Sequence, residues 1–119
     1  MRQVNVNVLS AVDTASHNGA QIDSNQLYNI SFQAVFGDTS AAGTFFIQGS
    51  NDVCPVGQGA QLFVVTNWTN IPNATSTITA GASALILIAP TCYRWLRAVY
   101  TRSSGGSSTI NVNMFAQGV

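Results

Sequence analysis

Tyr28-Asn29-Ile30-Ser31-Phe32-Gln33-Ala34-Val35-Phe36 alternates apolar with polar side chains over most of its length. Successive side chains of an extended strand point to opposite faces. The period of two therefore sets Tyr28, Ile30, Phe32, Ala34 and Phe36 on one face and Asn29, Ser31 and Gln33 on the other, ending at the Gly37-Asp38 turn. Both ends of the chain repeat the pattern. Val4, Val6 and Val8 alternate with Gln3, Asn5 and Asn7 to about Val12, and within 109–116 Ile110, Val112 and Met114 oppose Asn111, Asn113 and Phe115. Between them, residues 44–49 (Thr44-Phe45-Phe46-Ile47-Gln48-Gly49) are apolar on both sides, which predicts a central strand with cover on each face. Further strands are expected over 61–66, 75–79 (short), 84–89 (stopped by Pro90) and 93–101. The polar stretch 13–26 reads as a loop with room for one short strand, 50–60 as a loop, and 103–108 as a flexible hairpin connector. Short strands punctuated by turns predict an all-β fold: one antiparallel β-sandwich, jelly-roll-like, of seven or eight strands, filling residues 1–119 as a single domain.

Composition agrees. The eight charged residues are four Arg and four Asp, with no Lys or Glu, while Ser, Thr, Asn and Gln supply 42 of 119 residues. Lys and Glu are the usual fillers of exposed helix positions, so a helical bundle is excluded. An apolar content of 46% at zero net charge excludes intrinsic disorder. With four Arg spread along the chain there is no basic surface to neutralise a run of phosphates, so nucleic acid is not an expected partner. No membrane partner is expected either, because the longest mostly apolar stretch, 82–90, is under half the ~20 residues that span a bilayer. The alternating start lacks the apolar run of a secretory leader and reads as a strand. Eight charges over roughly 6,000 Å² of folded surface leave little ionic repulsion between copies, which points to a protein that associates.

Catalytic, metal and cofactor chemistry find little to stand on, and no enzyme activity is expected. The single histidine, His17, lies in the polar loop four residues after Asp13 and beside Ser16; a solvated loop histidine explains it better than a nucleophile-activating base. Asp13, Asp23, Asp38 and Asp52 each neighbour Gly, Ser, Asn or Thr, which is turn chemistry rather than a general acid/base pair. Asp52 with nearby carbonyls has the makings of a weak Ca²⁺ ligand, but the spaced acidic set of a calcium loop is absent. Cys54 and Cys92 stand 38 positions apart, matching neither a zinc nor a redox pair; a disulfide and two thiols both remain open. The glycosylation-type triplets at Asn29, Asn67 and Asn73 are expected by chance in so Asn/Ser/Thr-rich a chain.

The segment 93–102 holds three of the four Arg and three of the five Tyr and Trp residues. Alternation sets Tyr93, Trp95, Arg97 and Val99 against Arg94, Leu96, Ala98 and Tyr100, so both sides need cover. One side belongs to the core. The other mixes aromatic rings with Arg, the types enriched where protein surfaces meet, which makes Tyr93, Arg94, Trp95, Arg97, Tyr100 and Arg102 interface candidates. Arg stems packed along neighbouring strands with wet heads would explain the same residues.

Phe45-Phe46-Ile47-Gln48-Gly49-Ser50-Asn51-Asp52, Asn67-Trp68-Thr69-Asn70-Ile71-Pro72, the 93–101 strand and the Ser/Gly connector into Ile110-Asn111-Val112 together resemble small β-sandwich structural proteins of tailed-bacteriophage virions, over roughly 43–118. That resemblance implies a non-enzymatic virion component made in the bacterial cytoplasm. A capsid decoration (cement) protein is the expected form, a homo-oligomer, trimer favoured, seated on the major capsid protein. The Gly-Ser-Asn-Asp and Asn-Trp-Thr pieces also resemble discoidin-type sandwiches. That likeness implies the alternative of a glycan-binding module of a tail or fibre, with Trp68 and Trp95 as stacking platforms.

Overall fold

The computed structural model describes residues 3–59, 62–88 and 93–118. Among them are nine strands: β1 (Gln3–Val12), β2 (His17–Asn18), β3 (Ile22–Asp23), β4 (Leu27–Phe36), β5 (Ala42–Ser50), β6 (Thr69–Ile78), β7 (Ala84–Ile88), β8 (Trp95–Ser104) and β9 (Thr109–Gly118). They form two antiparallel sheets. One has the order β1-β9-β4-β7; the other is β2-β8-β5-β6, with β3 also paired to β8. The two-residue β2 and β3 follow one another along the same edge of β8, as one interrupted edge strand. Counted so, the chain has eight strand positions, and every connection except the β5–β6 one changes sheet. That is the strand exchange of a jelly roll.

The sheets bury a shared interior. Ile30, Phe32 and Ala34 of β4 with Val112, Met114 and Ala116 of β9 form one wall; Phe45 and Ile47 of β5 with Leu96, Ala98 and Tyr100 of β8 form the other. The Phe36 and Tyr100 rings meet edge-on, 5.3 Å between centroids. β5 lies between β8 and β6, the central position its doubly apolar sequence predicts.

Two bulges alter the expected alternation. A register shift between Asn7 and Leu9 turns both Val8 and Leu9 inward; Val6 keeps its expected side, paired with Met114, and is about half exposed on this edge strand. Another between Leu27 and Asn29 buries Leu27 and turns Tyr28 out. The strand expected over 61–66 does not form in 62–66. Its backbone pairs with a side chain instead: the Gln21 amide donates to the Phe63 carbonyl at 2.8 Å and accepts the Val65 N–H at 2.9 Å. The short strand expected over 75–79 is the second half of β6, which also carries Pro72 and Asn73 (φ 64°), a break that an edge strand tolerates. The strand expected to start at Tyr93 starts at Trp95. Ala89, Pro90, Thr91 and Cys92 lie outside the described residues, and with them the strand stop at Pro90 and the Cys54–Cys92 pairing.

The Ser/Gly connector is not a flexible hairpin. β8 and β9 belong to different sheets, and the link between them is tied down at several points. Asp38 accepts the Ser107 N–H (2.6 Å) and hydroxyl (2.7 Å) and the Ser40 N–H (3.0 Å) and hydroxyl (3.2 Å). The buried Asp13 accepts the Ser108 N–H at 2.9 Å. Gly105 and Gly106 adopt φ of 70° and 90°, and a Cβ on Gly105 would strike the Ser40 carbonyl oxygen.

These donors, the Ser107 hydroxyl first and the Ser40 amide next, hold the Asp38 carboxyl at about 2, below the usual 3.8. A depressed folded value stabilises above the unfolded value and is lost as pH falls through the folded one. The denaturation midpoint of the wild type is therefore expected to drop between pH 3.8 and about 2. In Asp38→Asn, urea melts across that window show a lower midpoint near neutrality and a shallower decline.

Candidate functional site

The aromatic, Arg-bearing segment turns its chemistry inward. On β8, Leu96, Ala98 and Tyr100 face the sandwich interior, while Trp95, Arg97 and Val99 lie on the opposite face. That outer face is roofed by residues of the chain's own β5–β6 connection, among them Asp52, Phe63 and Trp68. The Trp95 indole N–H donates to the Asp52 carbonyl at 3.1 Å, and its ring packs on Phe63 at 5.5 Å. The Arg97 guanidinium sits 4.6 Å from the Trp68 ring centroid and donates to Gln48 Oε1 at 2.7 Å. Arg94 pairs with Asp23 and lies 4.3 Å from the Trp95 ring centroid.

These placements take Trp95 and Tyr100 out of the expected interface. Trp95 and Tyr100, 1% and 0% exposed, are sealed within the subunit and can reach no partner. Tyr100 donates its hydroxyl to the Ala42 carbonyl at 3.3 Å, and burial, then the Asp13 carboxylate, raises its pKa. Arg94 and Arg97 are half-buried with their heads engaged inside the molecule. Arg102 is exposed and donates to the Gly105 carbonyl at 2.8 Å; Tyr93 is half-buried beside Gly49. As stacking platforms, Trp95 is enclosed, and the half-buried Trp68 already has Arg97 on its ring.

One exposed surface with a collective character is the outer face of the β1-β9-β4-β7 sheet. Strand register sets it out in rows: Asn5, Phe115, Ser31 and Leu87 lie side by side, then Asn7, Asn113, Gln33 and Leu85, then Ser10, Asn111 and Val35. Asn7 donates to Asn113 across the β1–β9 pair at 3.1 Å, which fixes that row on the outside. No charged side chain occupies the face among the described residues, although it spans four strands. Its β7 side is apolar and open to water, with Leu85 71% and Leu87 69% exposed; Phe115, two strands away on β9, is 41% exposed. The signal for this in the sequence is the run Ala84-Leu85-Ile86-Leu87-Ile88, apolar on both faces although β7 is an edge strand. In outline the face measures roughly 33 by 19 Å from strand rise and spacing, or about 600 Å² before side-chain relief. That approaches the about 800 Å² per partner of a specific interface.

The groups weighed for other chemistry are dispersed or already partnered. His17 Nε2 donates to the Val12 carbonyl at 2.9 Å, and Asp13 Oδ1 is occupied by the Ser108 amide. Asp52 accepts the Thr66 N–H (3.0 Å), the Asn67 N–H (3.1 Å) and the Asn67 side-chain amide (3.0 Å), which fastens the chain just after β5 to the chain just before β6. Those amides, Thr66 first, hold its carboxyl below the usual range. Among the described residues no three His, Cys, Asp or Glu side chains come together as metal ligands, and no helix is long and apolar enough to cross a membrane.

No protein-family model and no curated protein matches the chain. In solved structures it is similar to the SPBc2 prophage-derived protein YomS, at a TM-score of 0.61 and 7% identity over 97% of this chain and 92% of that one. At such identity the likeness is one of fold. The K1 and K3 cleaved adhesin domains of Lys-gingipain from Porphyromonas gingivalis W83 superpose with TM-scores of 0.43 each, at 14% and 12% identity, over 87% and 86% of this chain and 63% and 62% of theirs.

Proposed function

We propose that the chain is a non-enzymatic structural protein of a tailed-phage virion, a capsid decoration protein that joins copies of itself and seats on the major capsid protein. The observation that carries this reading is the uncharged outer face of the β1-β9-β4-β7 sheet with its exposed Leu85, Leu87 and Phe115. Exposed apolar side chains interspersed with neutral polar ones suit a surface that is covered: Leu85, Leu87 and Phe115 gain from leaving water, and no ion has to be desolvated. Many copies on one shell multiply a modest contact energy into firm retention. The jelly-roll fold, shared with a prophage-derived protein, supports the reading. A trimer and a place in the virion after assembly in the host cytoplasm follow from the resemblance carried by residues 43–118.

The experiment is co-sedimentation with expanded heads of the phage that encodes the chain, assembled without it, together with the mass of the free protein by light scattering. Expected are an oligomer in solution and saturable retention on heads that barely changes with salt, because the contact face offers little for ions to screen. A strictly monomeric protein that stays in the supernatant contradicts the proposal.

A further inference from the structure

Where β5 ends and β6 begins, a cleft of about 500 Å³ opens beside the roofing loop. Its volume falls within the range of small-ligand sites. Its apolar side is the Tyr93 ring with Ile71 and Pro72. Gly49 makes this grouping possible, since a Cβ there would stand 3.1 Å from Tyr93 Cγ and 3.3 Å from Ile71 Cδ1.

The polar side is orientated by charges placed behind it. Arg97, which can only donate, holds Gln48 Oε1; Gln48 must then donate with Nε2, and it does so to Asn70 Oδ1 at 2.9 Å. The Asn70 NH₂ is thereby left for the cleft. Asp52, held ionised and able only to accept, takes the Asn67 NH₂ at 3.0 Å and leaves the Asn67 carbonyl oxygen free. Thr69 adds a hydroxyl on the same wall. The cleft thus presents a fixed donor, a fixed acceptor and a hydroxyl around an apolar patch, which lowers the ordering cost of binding. Among the described residues no free cation faces it: Arg97 and Arg94 are engaged with Gln48 and Asp23, and the Asp52 carboxylate is occupied by its own donors.

We infer that this cleft binds a neutral saccharide, with an apolar ring face against Tyr93 and hydroxyls on Asn70, Asn67 and Thr69. A polyhydroxylated ring carries donors and acceptors together with an apolar side and no charge, and so matches each part of the wall. The inference is independent of the capsid reading, because the cleft lies on the other sheet from the uncharged face.

The test is an amide NMR titration of the whole protein with glucose, galactose, mannose and N-acetylglucosamine, each at millimolar concentration. At least one sugar is expected to shift the signals of residues 49–52, 67–72 and 93 saturably, including the side-chain amides of Asn67 and Asn70. Asn70→Ala and Thr69→Val, both at exposed positions, are expected to keep the remaining spectrum and weaken binding by about tenfold for the loss of Asn70. Absence of saturable shifts with all four sugars overturns the inference. So do shifts elsewhere on the surface, or an affinity unchanged by Asn70→Ala.

Discussion

Leu87→Glu is expected to leave the sandwich folded and to abolish the association proposed for it. Leu87 is 69% exposed on an edge strand, so the exchange costs the monomer little, within about a kcal/mol. In an assembly the same carboxylate would be buried among Phe115, Ser31 and Gln33, none of which can neutralise it. Desolvating an unpaired ion costs several kcal/mol, so association weakens by about a thousandfold or more. Leu87→Lys is expected to fail equally. Loss with both signs of charge marks desolvation as the cause, whereas a variant rescued by one sign would mean that the partner surface is charged. Light scattering and head co-sedimentation read the loss, and unchanged urea melts show that the fold survives.

Phe32→Ala gives the largest expected loss of stability. Phe32 is fully buried on β4, flanked by Met114 of β9 and Ile86 of β7 within the shared interior. Removing the ring takes away its transfer energy and leaves a cavity that paired strands on both sides cannot close, at about 3–5 kcal/mol. For a single domain held by about 5–15 kcal/mol this is a large share, and the thermal midpoint should fall by about 10–20 °C. Calorimetry on the monomeric Leu87→Glu background isolates the effect from assembly. A fall of only a few degrees would mean that the two sheets do not close on this side chain.

Those two substitutions act at different levels of what the sequence makes readable. Phe32, Ile30 and Ala34, like Ile110, Val112 and Met114, are placed correctly by alternation alone, because a paired strand has only two faces and one must be dry. Tyr28 is misplaced because a bulge beside it turns Leu27 inward in its stead, and a bulge leaves no mark in the hydrophobic pattern. Residues 62–66 look like a strand because their side chains suit one; the Gln21 amide that takes the partner's place is some forty positions away. Composition is enough to suggest a surface meant to be covered. Its location is not legible in the same way. The 93–102 segment has the residue types of an interface, yet Asp52, Phe63 and Trp68 of the β5–β6 connection fold over Trp95 and Arg97 and supply their cover from within the chain. With that face roofed, the doubly apolar β7 is left exposed, as are Val53, Val56, Leu62 and Val64 of the roofing segment, a tertiary fact that no local period encodes.

The cleft shows the same division. Asn67, Asn70 and Tyr93 read locally as turn and strand residues, and only the relay from Arg97 through Gln48 to Asn70 shows that an amide has been aimed. The pH dependence of Asp38 likewise depends on Ser107, far along the chain and brought to it by the exchange of strands between sheets.

The most direct measurement is a density map of the decorated phage head at side-chain resolution. Expected is a neighbouring copy or capsid subunit laid against the β1-β9-β4-β7 sheet, with Leu85, Leu87 and Phe115 out of contact with water. A map in which that sheet faces open solvent while the subunit is held through another surface would contradict it.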